Sequence, residues 1–224
     1  SMTGNVGIKN TLGRWSTKGI VPLSTTFDTP GILAKSIADL VFAFESIESK
    51  FSKSGNPIVA RDIDTIRIAT TKDFFWDQAQ DDIGNLVENA IAELSTAGAK
   101  TTNIDFQEAY EAVRAMAKGT IAASEGYQHL LTQLPDWIDT LDPNVASRMA
   151  TGRDASVSDY KQALAQVKHL WEPASHLLSS VDVLAVPTIP ITPPKVNEVA
   201  DPASYSVKNM AALSNTMAAN ALNL

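Results

Sequence analysis

From Ser36 onward apolar residues recur at steps of three and four: Ile37, Leu40, Val41, Phe44, Ile47 and Phe51 share one face, and Ser36 with Asp39 three residues later reads as an N-terminal cap. This spacing predicts a helix of about four turns, broken by Ser-Lys-Ser-Gly-Asn-Pro at 52–57. Over 65–71 the period falls to two, Ile66 and Ile68 alternating with polar neighbours, which predicts a short strand. The helical period returns at Ile83, Leu86, Val87, Ala90, Ile91 and Leu94 and stops at Gly98. Residues 100–106 then read as a second strand. Strand, helix and strand over 65–106 suit parallel pairing, because a parallel crossover needs about a dozen residues or more.

Residues 107–179 are predicted mostly helical. Ala112–Leu134 forms one long Ala-rich helix, Leu-Pro-Asp-Trp and Leu-Asp-Pro-Asn mark breaks, and Val157–Leu178 is a further helix bent at Pro173. "DVLAVPTIPITPP" at 182–194 reads as a buried strand over 182–188 followed by a loop stiffened by proline. The closing stretch from Ser206 is helix rich in small residues, and no internal repeat or low-complexity tract interrupts the chain. Alternating periods of 3.6 and 2 predict an α/β fold: a mixed sheet covered by helices, with most residues helical.

Composition narrows the function classes. Of 224 residues 44% are hydrophobic and 19% charged, enough apolar surface for one sizeable core or two modest ones. Eighteen Lys and Arg stand against 25 Asp and Glu, a net charge of −7 with no basic cluster, so nucleic acid is not an expected partner. The absence of cysteine removes disulfides, thiolate metal sites and Cys nucleophiles together. Apolar runs such as Val183–Val186 and Leu40–Phe44 are far too short to span a bilayer, so no membrane partner is expected and the cytoplasm is the expected compartment.

Few residues offer chemistry. Ser158-Asp159-Tyr160-Lys161 matches Ser-x-x-Lys, in which a lysine activates a serine one helical turn away, but Ser158 sits where the helical period begins and reads as a cap. His169, Glu172 and His176 could share a helix face as metal ligands; Pro173 falls inside the set and no fourth ligand is signalled, so no metal is expected. His129 stands alone, and neither a Gly-x-Ser-x-Gly elbow nor a phosphate-cradling glycine loop occurs.

The opening residues carry more. Val6-Gly7-Ile8-Lys9, Thr11, Gly13-Arg14, Ser16–Gly19, Val21-Pro22-Leu23, Asp28-Thr29-Pro30-Gly31 and Ser36-Ile37-Ala38-Asp39 follow one another as in the segment of amidase signature enzymes just after their glycine- and serine-rich catalytic block. Asn10 stands where that family usually has proline. Downstream, Asp159-Tyr160 with Ala163 is similar to the family's late helix, "DVLAVPTIPITPP" resembles its Asp-x-Leu-x-x-Pro-Thr-x-Pro strand, and "NTMAANALNL" resembles its Thr-x-x-x-Asn-Leu-x-x-Leu stretch. The matches run in order over almost the whole chain.

The resemblance implies a three-layer amidase-signature fold and hydrolysis of a carboxylic amide by a Ser, cis-Ser, Lys triad without a cofactor. A neutral buried lysine is the base, the middle serine relays the proton, the last serine attacks the carbonyl, and backbone N–H groups hold the oxyanion. No block of the Gly-Gly-Ser-Ser-Gly-Gly-Ser type occurs in the sequence, so the chain is expected to be the C-terminal half of a single amidase domain, with catalytic residues outside it. Residues 1–35 then form the loop region after the catalytic block, 36–106 the helix and strand unit, 107–180 the helical substrate side, and 181–224 a strand, a proline-rich loop and the end. The expected partners are a small-molecule amide, the N-terminal half of the same enzyme, and further copies of the chain. Asp28 and Thr29 either support the active-site block or, for Asp28, cap the turn before Pro30. Tyr127, Trp137 and Met149 either touch substrate or belong to the core. The alternative function is a truncated or degenerate amidase relative serving as a non-catalytic binding or structural module.

Overall fold

The computed structural model describes residues 2–51, 57–117 and 120–224. All but the last residue of the expected break at 52–57 lies outside the described residues. Two strands of four residues, β1 (Val6–Lys9) and β2 (Gly31–Ala34), pair antiparallel with Val6 opposite Ala34 and Lys9 opposite Gly31. The sequence predicts loop over the whole of 1–35. A Cβ on Gly31 would meet the Ile8 carbonyl oxygen at 2.6 Å, so the close approach of the two strands depends on that glycine. Helix α1 (Ile37–Phe51) follows, capped as expected by Ser36, whose Oγ accepts from the Asp39 N–H at 3.1 Å. The opening loop is fastened to it: Arg14 donates to Glu48 at 3.1 and 2.9 Å, and buried Trp15 donates to the same carboxylate at 2.8 Å while its ring packs tilted against Phe44.

Strand β3 (Arg67–Thr70), helix α2 (Asp81–Thr96) and strand β4 (Lys100–Asn103) form the expected parallel unit, with Ile68 opposite Thr101. Gly98, at φ 118°, ends the helical segment in a conformation that side chains rarely adopt. The remaining helices are α3 (Gln107–Met116), α4 (Thr120–Gln133), α5 (Pro143–Asp154), α6 (Val157–Leu178) and α7 (Pro202–Ala221). The single helix expected over 112–134 is therefore two: α3 ends at Met116, with Ala117 as its C-cap, and α4 begins at Thr120. Strand β5 (Val183–Leu184) joins β3 in parallel, giving the order β4-β3-β5. It is shorter than the expected 182–188. The Ala185 N–H makes a last bond to the Ala69 carbonyl at 2.8 Å, and Pro187 then has no N–H to continue the ladder. Among the described residues no helix is long and apolar enough to cross a membrane.

Phe75, Phe106, Ile121, Val167 and Leu222 fill the core, each side chain worth roughly 1.5–3 kcal/mol on burial. Fully buried alanines on α3 (Ala109, Ala112), α6 (Ala174) and α7 (Ala218, Ala221) surround them. Buried Asn215 on α7 donates to the Phe75 carbonyl at 2.8 Å and the Pro187 carbonyl at 2.7 Å, tying the segment after β3 to the segment after β5. At the same end Tyr110 donates a short hydrogen bond to Asp77, which, with burial and neighbouring carboxylates, pushes its phenol up to about 12. A raised pKa favours the protonated form in the folded state, so this contribution is complete below about pH 10 and is lost as pH rises through about 12. In an ultraviolet titration of the four tyrosines, Tyr110→Phe is expected to remove the most alkaline step.

Candidate functional site

The loop entering β2 is built around one carboxylate. Asp28 Oδ2 accepts the backbone N–H of Leu23 at 2.8 Å and of Ser24 at 3.0 Å, while the Asp28 N–H returns to the Ser24 carbonyl at 2.9 Å. Phe27 anchors the turn by burying its ring in the core. This geometry is a turn cap, which is compatible with either role expected for Asp28. Thr29 is half-buried beside it.

A second carboxylate grips the same turn from outside. Glu125 on α4 accepts from Ser24 Oγ at 2.6 Å, from the Thr26 N–H at 3.0 Å, from Thr26 Oγ1 at 2.5 Å and from Tyr160 Oη on α6 at 2.7 Å. Burial pushes its carboxyl up, but the bonds from Ser24, Thr26 and Tyr160 outweigh burial and hold it below the ordinary carboxylate range. Burial and the bond to Glu125 push the Tyr160 phenol up. Sequence reasoning missed Glu125. The available signal was an acidic residue among small and apolar neighbours in "IAASEG", with no lysine or arginine one helical turn away.

Close backbone approach sets this geometry. A Cβ on Gly126 would lie 2.9 Å from the Leu23 carbonyl oxygen and 3.3 Å from Met149 Sδ, and one on Gly152 of α5 would lie 2.0 Å from the Ala123 carbonyl carbon. Helix α4 is thus pressed between the loop and α5, and Ser124 Oγ donates to the Gly152 carbonyl at 3.2 Å. The structure brings Met149 to the Leu23 end of the loop. Tyr127 is half-buried on α4, within electrostatic reach of Arg153 on α5, whereas Trp137 is 53% exposed on a short 3-10 turn over Pro135–Thr140.

The other candidates disperse. The cap of α6 is Ser156, whose Oγ accepts the Asp159 N–H at 3.0 Å; Ser158 lies inside the helix, correcting the expected cap, and both it and Lys161 are exposed. His169, Glu172 and His176 line an open depression along α6 with Pro173. Among the described residues no three His, Cys, Asp or Glu side chains come together as a metal site. His129 is half-buried on α4.

The profile of the Amidase family matches residues 1–224. The 2-amino-5-chloromuconic acid deaminase of Comamonas testosteroni is 34% identical over 220 residues, which are 98% of this chain and 47% of the deaminase. The indoleacetamide hydrolase of Rhizobium radiobacter is 27% identical over 214 residues, 85% of this chain and 43% of the hydrolase. Among solved structures, the urea amidolyase of K. lactis superposes with a TM-score of 0.78 at 24% identity over 98% of this chain and 14% of its own. A crystal structure of an amidase superposes with 0.79 at 19% identity over 99% of this chain and 50% of its own. The chain spans about half, or less, of the length of these relatives. The strand pairings, the helices packed on them and the loop that Asp28 and Glu125 hold all lie inside one uninterrupted family match, and the chain belongs to the Amidase family, the amidase signature enzymes.

Proposed function

We propose that the whole protein hydrolyses a small carboxylic amide to an acid and ammonia or an amine, with a Ser, cis-Ser, Lys triad supplied by the part of the family's domain that this chain does not span. The observation that carries this reading is the family match from residue 1 to residue 224. The proposed chemistry needs nothing from a metal or cofactor. The lysine takes a proton, by way of the middle serine, from the attacking serine, whose Oγ adds to the amide carbonyl. The leaving nitrogen takes that proton as the acyl-enzyme forms, and water then releases the acid.

In this reading the chain supplies support and substrate contacts. Asp28 and Thr29 brace the catalytic block from the loop, and Tyr127 and Met149 face the substrate side. The exposed apolar residues of β2 and α1, Leu33 at 78%, Ile37 at 64% and Phe42 at 74% exposure, pack against the rest of the domain. The full-length protein is expected to release ammonia or amine from a panel of small amides. Asp28→Ala removes the acceptor of two loop N–H groups, a loss of about 1 kcal/mol for each bond, and is expected to lower activity or stability. Lys161→Ala, on the exposed face of α6, is expected to change neither. An inactive Lys161→Ala beside a silent Asp28→Ala would restore the Ser158–Lys161 reading.

A further inference from the structure

We propose that Glu125 is a positioning residue of this amide hydrolase, setting the conformation of the Ser24–Asp28 loop and coupling it to the helices of the substrate side. The inference rests on the function proposed above. Glu125 and Asp28 divide the loop between them. Asp28 holds it from within by the Leu23 and Ser24 N–H groups, and Glu125 holds it from without by both the N–H and the hydroxyl of Thr26. Ser24 joins the two clamps, because its N–H donates to Asp28 at 3.0 Å while its Oγ donates to Glu125 at 2.6 Å. The fourth donor, Tyr160, comes from α6, so one carboxylate touches loop, α4 and α6.

Ion pairing does not account for this arrangement. Glu125 takes part in none of the ion pairs among the described residues, so an ionised, half-buried carboxylate is balanced by hydrogen bonds only. An apolar side chain of the same volume would escape the desolvation penalty but would leave the Thr26 N–H and three hydroxyls without this acceptor. What four fixed donors add is a single geometry. An ionised carboxylate has about four acceptor sites, and here four donors use them. Glutamine keeps the shape but turns an NH2 group toward those donors, so Glu125→Gln releases the loop without opening a cavity.

The test compares full-length wild type, Glu125→Gln, Tyr160→Phe and Lys161→Ala. In Glu125→Gln, kcat is expected to fall by about 10- to 100-fold with KM within about threefold, as for a catalytic unit held slightly out of place. Its Thr26, Phe27 and Asp28 amides should exchange hydrogen at least about tenfold faster while the melting temperature stays within a few degrees. Tyr160→Phe, which removes one donor of the four, should show a smaller loss of the same kind, and Lys161→Ala none. An unchanged kcat in Glu125→Gln, or a loss recovered by assaying further below its melting temperature, would overturn the proposal. Should the wild type hydrolyse no amide, the proposed function fails by itself. The exchange rates then decide the loop claim: faster exchange confined to 24–28 upholds it, and unchanged exchange overturns it.

Discussion

Assayed by itself on small carboxylic amides, the 224-residue chain is expected to release ammonia no faster than buffer, and to gain turnover when the family's upstream serine block is supplied on a co-expressed segment. The members of a triad act as a unit, so in the proposed reading a chain without nucleophile, relay and base would keep binding without chemistry. In the proposed mechanism the oxyanion donors belong to the same glycine-rich block, so a chain without that block would lose this electrostatic stabilisation as well. Enzymes accelerate such reactions by at least about a millionfold, so the contrast between the two preparations is the largest expected of this protein. The described surface suits a complementing segment: Leu33, Ile37 and Phe42 are exposed close together in sequence, and β4 and β5 are the open edges of the parallel sheet. Ammonia release by the short chain alone, surviving repurification, would place a catalytic group within residues 1–224 and overturn the assignment.

Legibility in the sequence followed the range of the interactions. Helix α6 was readable to the residue, Val157–Leu178, because its apolar period is uninterrupted and its caps are local. Its cap lies two residues before the expected Ser158, and the signal is local: Ser156 has Asp159 three positions on and bonds to its side chain at 2.7 Å, whereas Ser158 has no such partner in the sequence. Strands β1 and β2 were invisible because four residues give only two turns of a period-two pattern, and the partners that make them strands lie 22 or more residues apart. The Asp28 turn was legible as a turn, since its contacts are four and five residues away. The Glu125 clamp was not, since its partners lie 35 to 101 residues distant and a helical sequence does not record what lies against it.

Gly152→Ala is expected to destabilise the protein even though alanine is the better helix former. By propensity alone the exchange gains about 1 kcal/mol in a helix interior. The added methyl, however, would lie 2.0 Å from the Ala123 carbonyl carbon, 2.1 Å from its oxygen and 2.3 Å from the Ser124 nitrogen. These are backbone atoms of α4, which cannot swing aside as a side chain does, so α4 and α5 must part by an ångström or more. Overpacking of this kind costs about 1–3 kcal/mol and more where backbone must move, which outweighs the gain in propensity. The displacement also carries function. Moving α4 off α5 stretches the Ser124–Gly152 bond and shifts Glu125 and Gly126 against the loop they hold. The matched control is Gly84→Ala on α2, where a Cβ meets nothing within 4 Å and stability should rise by about 0.4–1 kcal/mol. Urea unfolding of the full-length protein reads both. A Gly152→Ala midpoint at or above that of the wild type would show that α4 and α5 do not approach this closely, and would remove the basis for treating their contact as the support of the Glu125 clamp.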